Sequence, residues 1–311
     1  MAIINVDDAY ILNETGAQVD KTTGIPFKDE SLTEAEAAQA RANIRAGGTN
    51  PNLLDNPWFT VNQRGWTSGT ANAAFTVDRW KMSSAYGTKQ VTVNADGTIT
   101  FNGLFFQKIE PHFIAGQVVT ISYMTADGNV VSKTGTIGTT EGYAVGNASF
   151  GLYYRPSTGV CDFQIQADGL TLRACKVELG SVSTLANDAP PNYAEELAKC
   201  QRYCVALNPY NHPYAKFGIG YPTSTTGVEI LASLTVPLRA QPTITYSGNI
   251  VVKDYKDITN KTFTSLSVGW QTSNSYVVLT ASGISGLTLG SPLVLQANND
   301  SSAQIILSAD L

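Results

Sequence analysis

Two short strands joined by a turn can be recognised in Gln90-Val-Thr-Val-Asn-Ala-Asp-Gly-Thr-Ile-Thr-Phe101. β-Branched and aromatic residues on both sides favour strands, and Asp96-Gly97 favours the tight turn of a hairpin. The same pattern recurs where Asp127-Gly128 separates Val118–Met124 from Val130-Val131. Further candidate strands follow at Phe150–Tyr154 and Leu172–Leu179. Short strands at roughly ten-residue spacing, with no helical pattern between them, predict an antiparallel β-sandwich.

A second β region is predicted beyond Leu207. Its candidate strands are Gly227–Val236, Thr243–Tyr246, Ile250–Val252, Tyr276–Thr280, Leu287–Leu289 and Gln304–Leu307. From Leu207 to Leu311 the chain has five basic and five acidic residues among 105. Because a free monomer normally keeps more surface charge for solubility, part of this segment is expected to be buried against other copies of the chain.

Two helices are predicted outside these regions. Ser31-Leu-Thr-Glu34 has the pattern of a capping box, and an Ala-rich run follows it as far as Gly47-Gly48. Its apolar face is small, so the helix is expected to need partner helices; a solvated linker helix is the alternative. The second helix is predicted over Asn192–Ala206 after Pro190-Pro191. The residues at helical spacing that define its apolar face are Tyr193, Leu197, Cys200, Cys204 and Leu207.

The composition excludes several classes of protein. Hydrophobic residues make up 43% of the chain and charged residues 14%, which is the reverse of a disordered chain. A net charge of -5 gives no basic field for nucleic acid. No apolar run reaches the ~18 residues of a membrane span, and acidic Asp7-Asp8 is atypical of a signal peptide. We therefore expect a soluble, mostly β protein without nucleic-acid binding, membrane insertion or the usual secretion signal.

Catalytic and metal-binding patterns are nearly absent from the sequence. The two histidines, His112 and His212, have no metal-ligand spacing. Cys200, Cys204 and His212 are a conceivable ligand set, but both thiols lie on the predicted apolar helix face, where cysteine behaves as a small hydrophobe. Cys161 and Cys175 on candidate strands are interpreted in the same way. The sequence predicts four buried thiols, no metal and no cofactor.

Other enzyme motifs are also weak. Gly218-Ile-Gly220 lacks a third glycine and runs into Pro222, so it is interpreted as a β turn and not as a nucleotide site. No Gly-x-Ser-x-Gly nucleophile motif occurs. Carboxylate pairs such as Asp254/Asp257 and Glu195/Glu196 leave a glycosidase open as an alternative.

Aromatic and amide residues of the C-terminal segment point to sugar recognition, which needs flat apolar faces and polar groups for hydroxyls. The candidate glycan-binding residues are Trp270, Gln271, Asn274, Tyr276, Tyr210 and Tyr214. Trp270 stands beside a polar loop and is expected to be exposed, whereas Trp58 and Trp80 are expected in a core. The alternative is that most of these rings pack a core or a subunit interface.

Several segments together resemble phage tail fibre and receptor-binding proteins, especially those of gut Firmicutes phages and prophages. The segments similar to the start of their jelly-roll module are Asn52–Phe59, Val61–Gly65 and Val77–Trp80, and Asn52-Leu-Leu is also similar to carbohydrate-binding modules. Arg173–Thr184 is similar to the last strand of the module and Tyr193–Tyr203 to its exit helix. Leu234–Thr243 and Leu307–Leu311 are similar to the C-terminal tip domain of these proteins. Leu32–Ile44 is similar to the short helix before many fibre modules. One departure from the resemblance is Cys204, just after the exit-helix segment, where a tyrosine is expected.

The resemblance implies a non-enzymatic homotrimeric fibre of the virion, assembled in the host cytoplasm. Its four parts would be an attachment segment and helix (1–48), a jelly-roll β-sandwich (49–183), a linker helix (184–206) and a β-sandwich tip domain (207–311). The N-terminus would dock to other tail or baseplate proteins, and the tip would bind a host cell-surface polysaccharide. A polysaccharide-degrading tailspike and a purely structural fibre or baseplate protein are the alternatives.

Overall fold

The computed structural model describes residues 10–12, 18–20, 50–208 and 210–311. The chain divides into two units, 1–49 and 50–311, and the described elements are mostly antiparallel strands, which confirms the prediction of a mostly β, antiparallel protein. In the first unit, strands β1 (Tyr10–Leu12) and β2 (Gln18–Asp20) pair antiparallel. The predicted helix at residues 31–46 lies outside the described residues.

In the second unit, strands β3 to β11 form one sheet system, here called the first β region. They are β3 (Ser68–Thr70), β4 (Lys81–Met82), β5 (Gln90–Val93), β6 (Ile99–Ile109), β7 (Val118–Thr125), β8 (Val130–Thr136), β9 (Gly142–Gly146), β10 (Phe150–Arg155) and β11 (Val160–Leu179). A 3₁₀ turn (Leu185–Asn187) and helix α1 (Tyr193–Gln201) follow.

Strands β12 to β21 form what is called here the second β region. They are β12 (Cys204–Leu207), β13 (Lys216–Pro222), β14 (Gly227–Ser233), β15 (Thr243–Ser247), β16 (Ile250–Asp254), β17 (Thr259–Lys261), β18 (Ser265–Val268), β19 (Tyr276–Ser282), β20 (Leu293–Ala297) and β21 (Gln304–Ser308).

The first β region is organised around the long strand β11. It pairs with β6 on one side, and on the other with β10 at its start and β7 at its end. The register with β6 shifts between Asp168 and Leu170, where Gly169 has a φ of +76°. The strand order along the main path of the sheet is β3-β5-β6-β11-β10-β9; β4 pairs with β6 off this path, and β7 pairs with β11 and with β8. The predicted hairpins β5-β6 and β7-β8 are both confirmed.

The core of the first β region is aromatic. Strand β6 buries every second side chain, including Phe101 and Phe105, as expected for a strand with one face on a core. Trp80 stacks on Phe105 with ring centroids 5.1 Å apart, and its indole N–H donates to the Asn56 carbonyl at 2.9 Å. The prediction that Trp80 is buried is therefore confirmed, while Trp58 is only half-buried.

The second β region consists of two sheets that share one core. The larger sheet has seven strands in the order β17-β16-β20-β13-β14-β19-β18, and the smaller has the order β12-β21-β15. Val228 and Ile230 of the larger sheet and Ile305 and Leu307 of the smaller are fully buried in that core. One face of the seven-stranded sheet is therefore covered, and the opposite face carries the groove described below.

Helix α1 is shorter than predicted. Asn192 caps it by accepting from the amides of Ala194 and Glu195, and it ends at Gln201. Cys204 belongs instead to β12, which pairs with β21 about a hundred residues away. The predicted apolar face is wrong in part: Tyr193 is exposed and Glu196 is buried, whereas Cys200 is buried as predicted. Pairing with a distant strand overrides the local helical pattern.

Two other predictions in the second β region are wrong. Leu287–Leu289 is not a strand but part of the loop before β20. Gly218-Ile-Gly220 is not a turn, because it lies inside β13 between β20 and β14. Strands are recognised in a sequence by runs of β-branched and aromatic residues, and the glycines at 218 and 220 interrupt such a run. The sequence pattern therefore favoured a turn.

Candidate functional site

An open groove of about 670 Å³ lies on the uncovered face of the seven-stranded sheet. Its lining residues come from four neighbouring strands and two adjoining loops: Ile219, Gly220, Tyr221, Glu229, Ile230, Leu231, Gln271, Tyr276, Val278, Pro292, Leu293 and Val294. The size and the mostly apolar lining are typical of small-molecule sites.

A row of four aliphatic side chains crosses the floor of the groove, and strand register aligns them. Ile219 of β13 is paired with Val294 on one side and with Leu231 on the other, and Leu231 is paired with Val278. Ile219 and Leu231 in the middle are 66% and 45% exposed, although isoleucine and leucine normally avoid water. The exposed part of the row is therefore Ile219 and Leu231 on neighbouring strands, since Val278 and Val294 at its ends are buried.

Two glycines allow β13 to lie close to β14. A Cβ at Gly218 would lie 2.6 Å from the Leu231 carbonyl oxygen, and a Cβ at Gly220 would collide with the Glu229 carbonyl. Any side chain at either position would push the two strands apart. Because side chains alternate along a strand, β13 contributes the side chains of Ile219 and Tyr221 to the groove, while Gly218 and Gly220 lie on the opposite phase.

The polar groups of the groove lie on either side of the aliphatic row. On one side, the Tyr221 hydroxyl donates to Glu229 Oε2 at 3.4 Å. On the other, Tyr276 begins β19 and Gln271 lies in the turn before it. That turn is held by Thr272, whose hydroxyl accepts from the Val278 amide at 3.0 Å. The turn therefore fixes the backbone beside the exposed Gln271 amide.

The structure brings some of the predicted glycan-binding residues together and separates others. Gln271 and Tyr276 line the groove, and Trp270 and Asn274 lie in the same turn without lining it. Trp270 is 84% exposed, which confirms the predicted exposure of its ring. Tyr210 and Tyr214 are exposed on the loop between β12 and β13 and do not line the groove. Tyr210 lies near Tyr193 of α1. The pKa of Tyr193 is raised first by its partial burial and then by the neighbouring Tyr210.

The sequence reasoning missed most of the floor. Ile219, Leu231, Val278 and Val294 were not singled out, and Glu229 was not singled out either, because their proximity depends on cross-strand register. A usable signal was present in β14, where buried Val228 and Ile230 alternate with Glu229 and the exposed Leu231. A large apolar residue on the outward phase of a half-buried strand indicates an uncovered apolar face.

The four cysteines are free and buried, which confirms their predicted burial. Burial raises the pKa of Cys161 to about 12 and raises that of Cys175, Cys200 and Cys204 well above the ordinary value. His212, by contrast, is exposed. The described residues contain no group of three or more His, Cys, Asp or Glu side chains placed to hold a metal ion.

Comparison with known proteins adds no family. No protein-family model matches the chain, and no curated protein matches it either. Within the described part of the chain, no helix has the length and apolar character needed to cross a membrane.

Proposed function

We propose that the protein is a phage tail fibre or receptor-binding protein that attaches the virion to a host cell-surface glycan. In this proposal the chain forms a homotrimer, the first β region is a jelly roll, and the N-terminal segment docks to other tail or baseplate proteins. The second β region forms the tip and holds the glycan site.

The observation that carries the proposal is the uncovered groove on the seven-stranded sheet. Tyr221 and Tyr276 supply aromatic faces, the aliphatic row supplies further apolar surface, and Glu229 and Gln271 supply hydrogen-bonding groups. A sugar ring has an apolar C–H face and a polar edge, so it requires this combination of groups. An open groove also admits one unit of a long polysaccharide.

The charge content of the groove supports binding without cleavage. Glu229 is the one carboxylate among the described residues that line it. Most glycosidases act with two carboxyl groups placed on either side of the scissile bond. A single carboxylate, already hydrogen-bonded to Tyr221, suits the recognition of hydroxyl or amide groups.

Weak binding at each groove is sufficient for attachment. A shallow site of this kind typically has a dissociation constant of roughly 1 mM, or about -4 kcal/mol. Three grooves per trimer make the second contact intramolecular, which strengthens attachment by a factor on the order of 10² to 10⁴.

An array of bacterial surface polysaccharides probed with the full-length protein tests the proposal. We expect retention on a subset of the polysaccharides with no shortening of the bound chains. Shortened chains would identify a degrading enzyme, and the absence of retention on every polysaccharide would contradict glycan binding.

A second candidate function rests on the exposure of Ile219 and Leu231. Two adjacent exposed aliphatic side chains on a sheet face are also typical of a contact between copies of a chain. In that case the groove is covered in the trimer and the protein is a structural fibre component. The molar mass of variants with a polar residue in the apolar row distinguishes the two functions. The variants should lose the trimer if the row is a subunit contact and should keep it if the row binds a glycan.

A further inference from the structure

We propose that the groove selects an N-acetylated hexosamine over an unsubstituted hexose or an acidic sugar. This inference rests on the proposed function of the groove. It follows from the order of chemical groups across the groove and from its charge.

The order of groups follows from the alternation of side chains along β14. Glu229, Leu231 and Ser233 point to the uncovered face and are separated by about 6.6 Å per step. Glu229 is level with Tyr221, Leu231 with Ile219, and Ser233 with Tyr276. A ligand lying along β14 therefore meets an acceptor, then aliphatic surface, and then an aromatic ring beside the Gln271 amide.

The aliphatic row discriminates against plain hexoses. Ile219 and Leu231 have no polar atom in their side chains, so a sugar hydroxyl pressed against them loses its bonds to water without a replacement. An acetamido group ends in a methyl group, which gains free energy on contact with the same surface. Ile219 and Leu231, exposed on neighbouring strands about 4.8 Å apart, can contact this methyl group together with one face of the ring.

The polar groups complement an amide. Glu229 accepts one hydrogen bond from Tyr221 and, as a carboxylate, has further lone pairs but no proton to donate. It therefore favours a ligand N–H or O–H donor. Gln271 is exposed at the other side and can donate its amide N–H to an acetamide carbonyl. Because Glu229 and Gln271 lie on opposite sides of the aliphatic row, the acetamido N–H of one sugar residue complements Glu229 and the acetamido carbonyl of another residue of the same chain complements Gln271.

The charge of the groove disfavours acidic sugars. Glu229 is the one ionisable carboxylate among its described lining residues, and a uronic acid or a phosphate would be repelled by it. Lys253 is paired with Val294 at the edge of the floor, but its ammonium lies 5.6 Å from the Tyr255 ring centroid, outside the lining. A neutral acetamido sugar avoids the repulsion.

The test compares two oligosaccharides that differ at one position. Chitotetraose and cellotetraose have the same β-1,4 backbone, with acetamido groups in the first where the second has hydroxyls. Binding to the full-length protein is measured by ligand-observed saturation-transfer NMR with titration. We expect chitotetraose to bind about 10-fold more tightly or better, with its acetyl methyl protons receiving the strongest saturation.

Two variants test whether the preference for chitotetraose over cellotetraose arises in the groove. Leu231→Ala should reduce the preference for chitotetraose at least about 3-fold. Leu179→Ala is the matched control, because Leu179 is equally exposed but lies at the end of β11 in the first β region. Circular dichroism melting verifies that both variants fold.

Each outcome decides a different claim. Equal binding of the two tetraoses, or a preference that Leu231→Ala leaves unchanged, overturns the acetamido selectivity. Binding of other polysaccharides on the array without binding of chitotetraose also overturns the selectivity, while glycan attachment stands. The absence of binding to both tetraoses and to every arrayed polysaccharide overturns the proposed function as well.

Discussion

Arg64 and Asp310 are 246 residues apart in the chain, and their side chains form an ion pair with 2.5 Å between NH2 and Oδ2. Arg64 also pairs with Asp78 at 3.2 Å, and all three side chains are largely buried. Gln63 adds hydrogen bonds to Asp78 and to the Cys204 carbonyl, both at 2.7 Å. These contacts connect the first β region with strand β12 and with the residues after β21.

A second set of contacts strengthens this connection. Arg79 is buried, with its guanidinium carbon 3.5 Å from the centroid of the Tyr203 ring and its Nε 3.0 Å from Asp55. The buried Glu196 of α1 accepts from the Asn56 amide at 2.6 Å. Because buried charges need fixed partners, the two β regions have a defined relative orientation. The groove is thereby held at a fixed angle to the first β region.

We expect Arg64→Ala to lower the free energy of unfolding by about 3–5 kcal/mol, because it leaves Asp78 buried without its cation and leaves Asp310 only the more distant Arg79, at 3.8 Å. The measurement is urea denaturation followed by fluorescence. Arg202→Ala is the control, since Arg202 pairs with Glu110 at 3.1 Å and its side chain is 47% exposed, where such pairs contribute about 1 kcal/mol or less. Equal losses for the two variants would contradict the role of the buried cluster.

Asp78 should give the stability a pH dependence of known sign. Burial raises the pKa of Asp78, although Arg64 and Gln63 act against this shift. The folded protein therefore holds this proton more tightly than the unfolded chain does. The stabilisation from protonated Asp78 is fully present below its unfolded pKa of about 4 and is lost as the pH rises through the raised folded value.

The free energy of unfolding of Asp78→Asn, which cannot titrate at this position, provides the comparison. On going from about pH 7 to about pH 4, the wild type should gain stability relative to this variant. Urea denaturation of both proteins across this pH range measures the difference. A constant difference, or a relative loss by the wild type, would contradict the raised pKa.

The cysteines should be unreactive in the folded protein. The thiolate is the attacking species, and burial raises the pKa of all four thiols, that of Cys161 to about 12. Titration with a thiol reagent near pH 8 should therefore modify almost none of them until denaturant is added, and then all four. Rapid modification of any cysteine before unfolding would show that its burial is incorrect.

Trp270→Ala should separate binding from folding. The ring is almost fully exposed and adjoins Gln271 at the edge of the groove, so its removal should leave the melting temperature unchanged. A sugar that extends beyond the groove would stack on it, and we expect a loss of roughly 2- to 10-fold in affinity per site. A large drop in melting temperature would instead assign the ring to packing.

Features that depend on residues close together in the chain could be predicted from the sequence, whereas features that depend on pairing between distant strands could not. The hairpin at Asp96-Gly97 was predictable because its strands and its turn are adjacent in the chain. The end of α1 was not predictable, because Cys204 pairs with Ser308 of β21; a strand was predicted at Gln304–Leu307, but its pairing with a segment about a hundred residues earlier has no local signal. Gln271 and Tyr276 were found by residue type, whereas Ile219 becomes a site residue only through its register with Val294 and Leu231.

The central claim is that the apolar floor of the groove binds the glycan, and Ile219→Asp tests it most directly. Ile219 is 66% exposed, so a carboxylate there is tolerated by the fold but opposes apolar contact with a sugar. Leu289→Asp is the matched control at 63% exposure, in the loop before β20 and outside the groove lining. Retention of both variants is measured on the polysaccharides that hold the wild type, together with their molar mass by light scattering. We expect Ile219→Asp to lose retention with its trimer mass unchanged and Leu289→Asp to behave as the wild type; full retention of Ile219→Asp, or its dissociation into monomers, would contradict a glycan site in this groove.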